Sequence, residues 1–390
     1  MPHRPRGSRR LVQLVAIVAV TAVAAGAAAC SAGEDDPEIA AGPTPTSDAQ
    51  VPYDPSFAFK QRIPRGAALD PRSAAIARQL DQNSRAGKVF LSSRQVPPVY
   101  VVRRTDPFYS VTVGGETERF RVPAGAKEGE GADRPLVLLD PNHPDFGRHT
   151  ELRLFKAGVD HEGRRLLSQG AGLFHYNNVG AARNPDGSPS ISVPFAGQGT
   201  GSGLSILAGL IRPEEVRAGR IRHALRFAYS ATDFTSGYRA PAIKTDQPKG
   251  TTTRNPATAL EMGTRLQLDP AVDCSARTVP GSGERSRETR YLRMICRALQ
   301  EYGMIAVDGT TERGILLMME HTRTAGWGAI AGDERLGGYS HLIRTLRSAE
   351  DGLARGLNAG IPWDRFRALK NGAFPADATA KSPPAVQDAR

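Results

Sequence analysis

Three cysteines, two tryptophans and a single long apolar run are all that 390 residues contain of each. Two tryptophans, Trp327 and Trp363, are too few for the broad aromatic platform that many sugar-binding surfaces use. No block of five or more like charges occurs, so the chain has no polyelectrolyte arm of the kind that grips nucleic acid. The nucleotide signatures are missing as well. The stretch Gly197-Gln198-Gly199-Thr200-Gly201-Ser202-Gly203 offers three G-x-G registers, but the third required glycine is replaced by Ser202, Leu204 or Ile206. There is no G-x-x-x-x-G-K-[ST], so neither ATP nor NAD is expected. H-E-x-x-H and G-x-S-x-G are absent too. His143, His149 and His161 lie near Asp140, Asp145 and Asp160 at spacings that fit no zinc site. They read as histidines of solvated turns, with Asp140, Asn142 and Asp145 a weak set of hard oxygen ligands for calcium. No cofactor is expected.

What is present begins with an address. Arg4, Arg6, Arg9 and Arg10 precede an apolar run from Leu11 to Ala25, broken only by Gln13 and Thr21. Small residues then lead into Ala27-Ala28-Ala29-Cys30. A basic start, an apolar centre and a small-residue exit describe an export signal. The cysteine at the exit resembles the lipobox of bacterial lipoproteins, with Ala27 where leucine is usual. That resemblance implies lipidation of Cys30, as against an uncleaved anchor or a soluble secreted product. A membrane-spanning helix needs about 20 mostly apolar residues. The division expected is a signal over 1–29, a lipidated start and extended tether over 30–54, a globular domain over 55–373, and a disordered tail over 374–390. Both flanks are rich in Pro, Ala and charge and cannot bury a core.

The formal net charge is +11. It suits attraction to anionic wall polymers or lipid headgroups, or equally an arginine-rich solvated surface. Outside the cell, nucleic acid is not an expected partner. Cys274 and Cys296 remain as an even pair in an oxidising compartment, which predicts one disulfide.

Within the domain, Asp70-Pro71 opens a helix that Gly87 ends. A second helix is expected over Ser286 to Tyr302, with Leu292, Ile295, Cys296 and Leu299 on one face. Between and beyond them the pattern is short strands. Phe108 to Val113 and Glu116 to Val122 flank Gly114-Gly115 as a hairpin. Glu151 to Phe155 alternates with period two, and Ile221 to Tyr229 is expected to place Ile221, His223, Leu225 and Phe227 on one side. The fold class expected is mainly β, a jelly-roll-like or sandwich domain with one or two packed helices.

Three motifs resemble those of a family of secreted, β-rich bacterial proteins. They are the run Gly209-Leu210-Ile211-Arg212 through His223-Ala224-Leu225-Arg226, the pentapeptide Met262-Gly263-Thr264-Arg265-Leu266, and the unit Ala298-Leu299-Gln300-Glu301-Tyr302-Gly303-Met304 running on to Asp308-Gly309. The likeness extends from about Ile63 to Ile315. It implies export and a β-rich fold, and carries no activity with it. The chain departs from the family pattern at Pro135, where histidine is expected, and at Asp308-Gly309 in place of Asp-Asn.

Glycan cleavage commonly uses two carboxyl groups, one protonated and one ionised. Glu151, Glu215, Asp233 and Asp308 all sit at or beside expected strands. The candidate catalytic residues are Glu215, His223, Asp308 and Glu151, with Glu215, His223 and Asp308 converging beside a flexible glycine-rich loop. Glu215 would be the acid, Asp308 an ionised carboxylate at an exposed turn, and His223 an orienting group. The plainer account makes Glu215 a helix-cap charge, His223 a core hydrogen-bonder and Asp308 a turn former. The expected function is a cell-surface lipoprotein that binds or cleaves extracellular polysaccharide or another cell-wall polymer. The alternative is a non-catalytic structural or partner-binding lipoprotein.

Overall fold

The computed structural model describes residues 57–86, 89–92, 96–113, 116–175, 200–248, 253–279, 281, 283–310, 314–321, 323–325 and 360–373. The segment 1–54 with Cys30, the tail 374–390, Trp327, and Gly197 to Gly199 lie outside these residues. Among the described residues no helix is long and apolar enough to cross a membrane.

The chain begins with helix α1 (Ser73–Ala86) and the strands β1 (Val89–Ser92), β2 (Val99–Val101), β3 (Phe108–Val113) and β4 (Glu116–Arg121). There follow β5 (Leu136–His143), β6 (Gly147–Phe155), β7 (Gly158–Asp160), β8 (Arg165–Leu167) and β9 (Gly170–His175). After the short helix α2 (Pro213–Arg217) come β10 (Leu225–Ser230), β11 (Phe234–Tyr238), β12 (Leu260–Met262) and β13 (Arg265–Leu268). Helix α3 (Arg287–Glu301) then leads to β14 (Met304–Thr310), β15 (Ile315–Met318) and β16 (Phe366–Ala368).

The architecture is mainly β and sandwich-like. One mixed sheet runs β1-β15-β10-β14-β13-β16, and two four-stranded sheets run β2-β5-β6-β9 and β4-β3-β8-β7. Alternation along each strand assigns its residues to one of three cores. On β10 and β14, Leu225, Phe227, Met304 and Ala306 face the helices, where they meet Ile295 and Leu299 of α3. Their neighbours Ala228, Ile305 and Val307 face the other way, towards Val137 and Leu139 of β5. Leu136, Leu138, Leu152 and Leu154 turn their backs on that layer and pack on Tyr109, Val111 and Phe120 of the third sheet.

The local reasons are visible in the sequence. Ser286 caps α3, its hydroxyl accepting the Thr289 N–H at 3.1 Å. Leu292, Ile295, Cys296 and Leu299 are all fully buried. Gly303 ends the helix with φ +72°, and a Cβ there would stand 2.3 Å from the Leu266 carbonyl. The expected hairpin is present, Phe108 opposite Arg121 through Val113 opposite Glu116.

Two local expectations change. The strand begun at Ile221 starts only at Leu225, because the Arg220 N–H is taken by Glu215 O and the Ala224 N–H by Phe59 O. His223 therefore precedes the ladder instead of alternating within it. The glycine-rich stretch was expected to be a flexible surface loop. Its described part, Thr200 to Gly203, is buried. The apolar Leu204, Ile206, Leu207 and Leu210 that follow fix it between the six-stranded sheet and β5.

Candidate functional site

Strand β6 explains how charge enters this layer. Leu152 and Leu154 fill the core between the four-stranded sheets, so Glu151 and Arg153 must point at the six-stranded sheet. Both are buried, Glu151 completely and Arg153 with 6% of its surface exposed. Glu151 accepts a hydrogen bond from the Ser205 hydroxyl. Across the layer Arg226 of β10 donates to the carbonyls of Ser205, Ile206 and Ala208.

Asp308 reaches the same layer through an irregularity. β10 pairs in parallel with β14, Leu225 opposite Met304 and Phe227 opposite Ala306, but Ala228 stands opposite Asp308. The extra residue is Val307. Such a bulge breaks the alternation, so Val307 and Asp308 both face the side occupied by Ala228 and Arg226. Asp308 is thus part of β14 and largely buried, where the sequence suggested an open Asp-Gly turn.

The remaining groups come from loops. Gly201 donates its N–H to Asp308 Oδ1 at 3.2 Å. The segment carrying Lys244 and Asp246 is tied alongside by the Ile243 and Lys244 N–H groups, which donate to Ser202 O at 3.0 and 3.3 Å. Gly201 is the pivot. A Cβ there would lie 2.6 Å from Asp246 Oδ2 and 2.9 Å from Asp308 Oδ1. The two carboxylate oxygens are therefore no further apart than the roughly 5.5 Å that separates the carboxyl pair of retaining glycosidases.

The electrostatics divide the pair. Burial, aided by the Asp246 charge, pushes the Asp308 carboxyl up to about 6, against the pull of Arg226, Arg153 and the Gly201 N–H. Arg153 is lowered to about 10 by burial, with Asp308, Glu151 and Asp133 opposing. Lys244 is also lowered, chiefly by burial and then by Arg153. A carboxyl whose proton affinity is raised by burial, with a second, exposed carboxyl group beside it, is an arrangement from which acid–base chemistry can be built.

The other expected site residues have different company. Glu215 accepts from His223 Nε2, 3.0 Å from Oε2, and from the Arg212 N–H at 3.1 Å in a capping box on α2. His223 Nδ1 lies 2.8 Å from the Ala224 carbonyl. Arg212, Glu214 and Glu320 complete that group of ion pairs. It sits where β10 enters the sheet, and Asp308 is met only at Ala228, about 10 Å further along by strand rise. Among the described contacts Glu215 and Asp308 share no partner. Asp233 is buried, accepting from Asn83 at 2.7 Å and lying 3.6 Å from Arg254.

Of the histidines read as solvated, His161 is exposed on a turn, whereas His143 and His149 are buried. His143 is buried, its Nε2 2.9 Å from Arg119 O and its ring packed on Phe120 and Phe146. His161 lies between the Tyr109 hydroxyl and Ala126 O. Asp140 is held by Arg121 at 2.9 Å and by the Asn142 N–H. Among the described residues no group of three or more acidic, histidine or cysteine side chains could hold a metal. Trp363 is in the core, stacked on Phe366. A hollow beside Arg239, Gly263 and Arg265 is basic, yet Arg239 is spent on Glu261 and Asp70 and Arg265 on the Ala58 and Gln61 carbonyls.

Sequence reasoning missed Arg153, Lys244, Asp246 and the role of Gly201. The available signal was a strand whose charged positions, Glu151 and Arg153, both lie on one side. Replacing Gly201 with Ala should cost about 1–2 kcal/mol by overpacking and drive the exposed Asp246 away from Asp308. A thermal melt checks the cost, and any activity should fall with it. A fully stable and active variant would show that the carboxylates need not meet across Gly201. No protein-family model, curated protein or solved structure matches this chain.

Proposed function

We propose that the protein is exported, lipid-anchored through Cys30, and cleaves extracellular glycan with Asp308 and Asp246. The observation that carries the reading is the pair itself, two carboxylates meeting across Gly201, with Asp308 driven towards its protonated form by burial. Asp308 gives its proton to the glycosidic oxygen as that bond to the anomeric carbon breaks. Asp246 supplies the electron pair that forms the new bond at the anomeric carbon. Water then cleaves the glycosyl ester, its proton passing to Asp308. Two successive displacements of this kind retain configuration at the anomeric carbon.

Full-length protein incubated with wall and plant polysaccharides should release reducing ends, and Asp246→Asn should stop the release. If no polymer yields reducing ends, the cleavage reading fails. A second reading, a partner-binding lipoprotein without turnover, is favoured by one fact. Glu151, Glu215 and Asp233 are each committed to contacts that hold the fold.

The anchor has its own test. Cys30→Ala should release the protein from the membrane fraction or block its maturation, because stable anchoring needs acyl chains. Unchanged fractionation, with an unmodified Cys30 in the wild-type mass spectrum, would rule lipidation out.

A further inference from the structure

The cleavage mechanism leaves two cations beside the carboxylate pair without a task. Arg153 is nine-tenths buried, and its Nε meets no hydrogen-bond acceptor among the described residues. Three carboxyl groups act on it through space, Asp308, Glu151 and Asp133. Glu151 takes the Ser205 hydroxyl, and Asp308 takes the Gly201 and Gly309 N–H groups. Lys244 is half-buried and forms no ion pair within the described residues, though Asp246 and Asp308 are close enough to act on it. A guanidinium kept out of water with an empty donor is costly, since each such group forfeits its hydration. A buried donor of this kind is open to completion by a ligand or by an ordered water.

We infer that the glycan is acidic, and that Arg153 and Lys244 form the subsite that binds a sugar-borne oxyanion next to the bond that Asp308 and Asp246 cleave. This rests on the glycan reading above. The planar fork of Arg153 matches a carboxylate or phosphate through two parallel N–H bonds, and Lys244 adds a point charge. Both act at low dielectric, where the attraction is several-fold stronger than in water. Arg226 adds a third cation to this layer, and Glu151 and Asp133 also act on Arg153. Residues 1–29 carry four arginines and no acid, so the chain from Cys30 onward keeps 11 − 4 = +7, an excess that would gather the same polymers from solution.

Binding is best read in the Asp308→Asn background, which keeps the subsite but does not turn over. Full-length protein at 0.3 M salt would be titrated with polygalacturonate, with its fully methyl-esterified form and with polyglycerol phosphate. The acidic polygalacturonate should bind at least tenfold more tightly than the ester. Adding Arg153→Met should remove at least tenfold of that affinity and leave the ester unaffected. Loss of one charge from so basic a surface cannot do this non-specifically. Arg153→Lys keeps the charge and loses the fork, so it should fall between the two, and it decides the matter if the methionine variant does not fold. Preference for polyglycerol phosphate with the same dependence on Arg153 would assign the oxyanion to phosphate. Equal binding of acid and ester, or acid binding untouched by Arg153→Met, overturns the subsite while glycan cleavage stands. Binding of free galacturonate through Arg153 with no polymer bound would keep the subsite and sink the cleavage reading. No binding of any probe overturns the subsite.

Discussion

Asp308→Asn should abolish glycan turnover and at the same time make the folded protein more stable at neutral pH. The activity half follows from the acid role, since an amide cannot donate the proton that the leaving sugar needs. The stability half follows from burial. In the unfolded chain the Asp308 carboxyl titrates near 3.8, and in the fold near 6. Between those values the folded protein holds a proton that the unfolded chain has lost, so stability falls as pH rises through this window. Above about pH 6 the native state carries a buried anion, and every tenfold gain in its affinity for a proton costs about 1.4 kcal/mol. Residual exposure reduces that cost, so about 1–3 kcal/mol is expected. Asparagine keeps the shape and the oxygen that accepts the Gly201 N–H, and removes the charge.

The signature is a difference that depends on pH. The variant should melt above wild type at pH 7 and level with it below about pH 4, where Asp308 is protonated in both states. A variant that is less stable at every pH would mean that Asp308 is a structural anion paired with Arg226 and Arg153, and the acid role would go with it. The same proton sets the rate profile. Turnover by wild type should decline above about pH 6, as Asp308 loses the proton it must deliver.

The parts of the fold legible in the sequence are those decided locally. Helix α3 carries its own cap at Ser286, its own apolar face and its own stop at Gly303. The Phe108 to Arg121 hairpin is announced by two alternating strands on either side of a Gly-Gly pair in the sequence. Strands whose partners are remote gave no such signal. Phe366 to Ala368 is three residues long and becomes a strand only because Leu266 to Leu268 lie beside it. Val89 to Ser92 depends likewise on Ile315 to Met318.

The site divides in the same way. Asp308 and Glu151 could be named because carboxylates near strands are conspicuous. Arg153 could not, since the polar half of an alternating strand faces water unless a second sheet covers it. Here the six-stranded sheet covers that face, and only the tertiary structure shows it. Asp246 lies in a stretch of Pro, Lys and Thr with no period, and it gains meaning only from the Ser202 carbonyl that ties its loop down. The bulge that turns Asp308 inward depends on the register between β10 and β14, which neither strand encodes alone.

The disulfide joins a local and a remote element, and its removal should produce the largest loss of stability. Cys274 lies in the loop after β13, and Cys296 lies on the buried face of α3. The bridge spans 22 residues with the Cα atoms 5.7 Å apart. Closing a loop of that length removes conformations from the unfolded chain, worth roughly 3 kcal/mol. The paired change Cys274→Ala and Cys296→Ala should therefore lower stability by about that amount and the melting temperature by several degrees. Two other ties hold the loop, the Val279 N–H to Thr289 Oγ1 at 3.2 Å and the Gln300 amide to the Asp269 and Val272 carbonyls. They keep the native position of the loop when the bridge is absent, so the variant should fold, with amide exchange accelerated first around Val272 to Val279. In the wild type, unfolded without reductant, neither Cys274 nor Cys296 should react with a thiol reagent. Should the paired variant lose less than about 1 kcal/mol, α3 would be held by Leu292, Ile295 and Leu299 alone, with the unfolded chain already restricted around the loop.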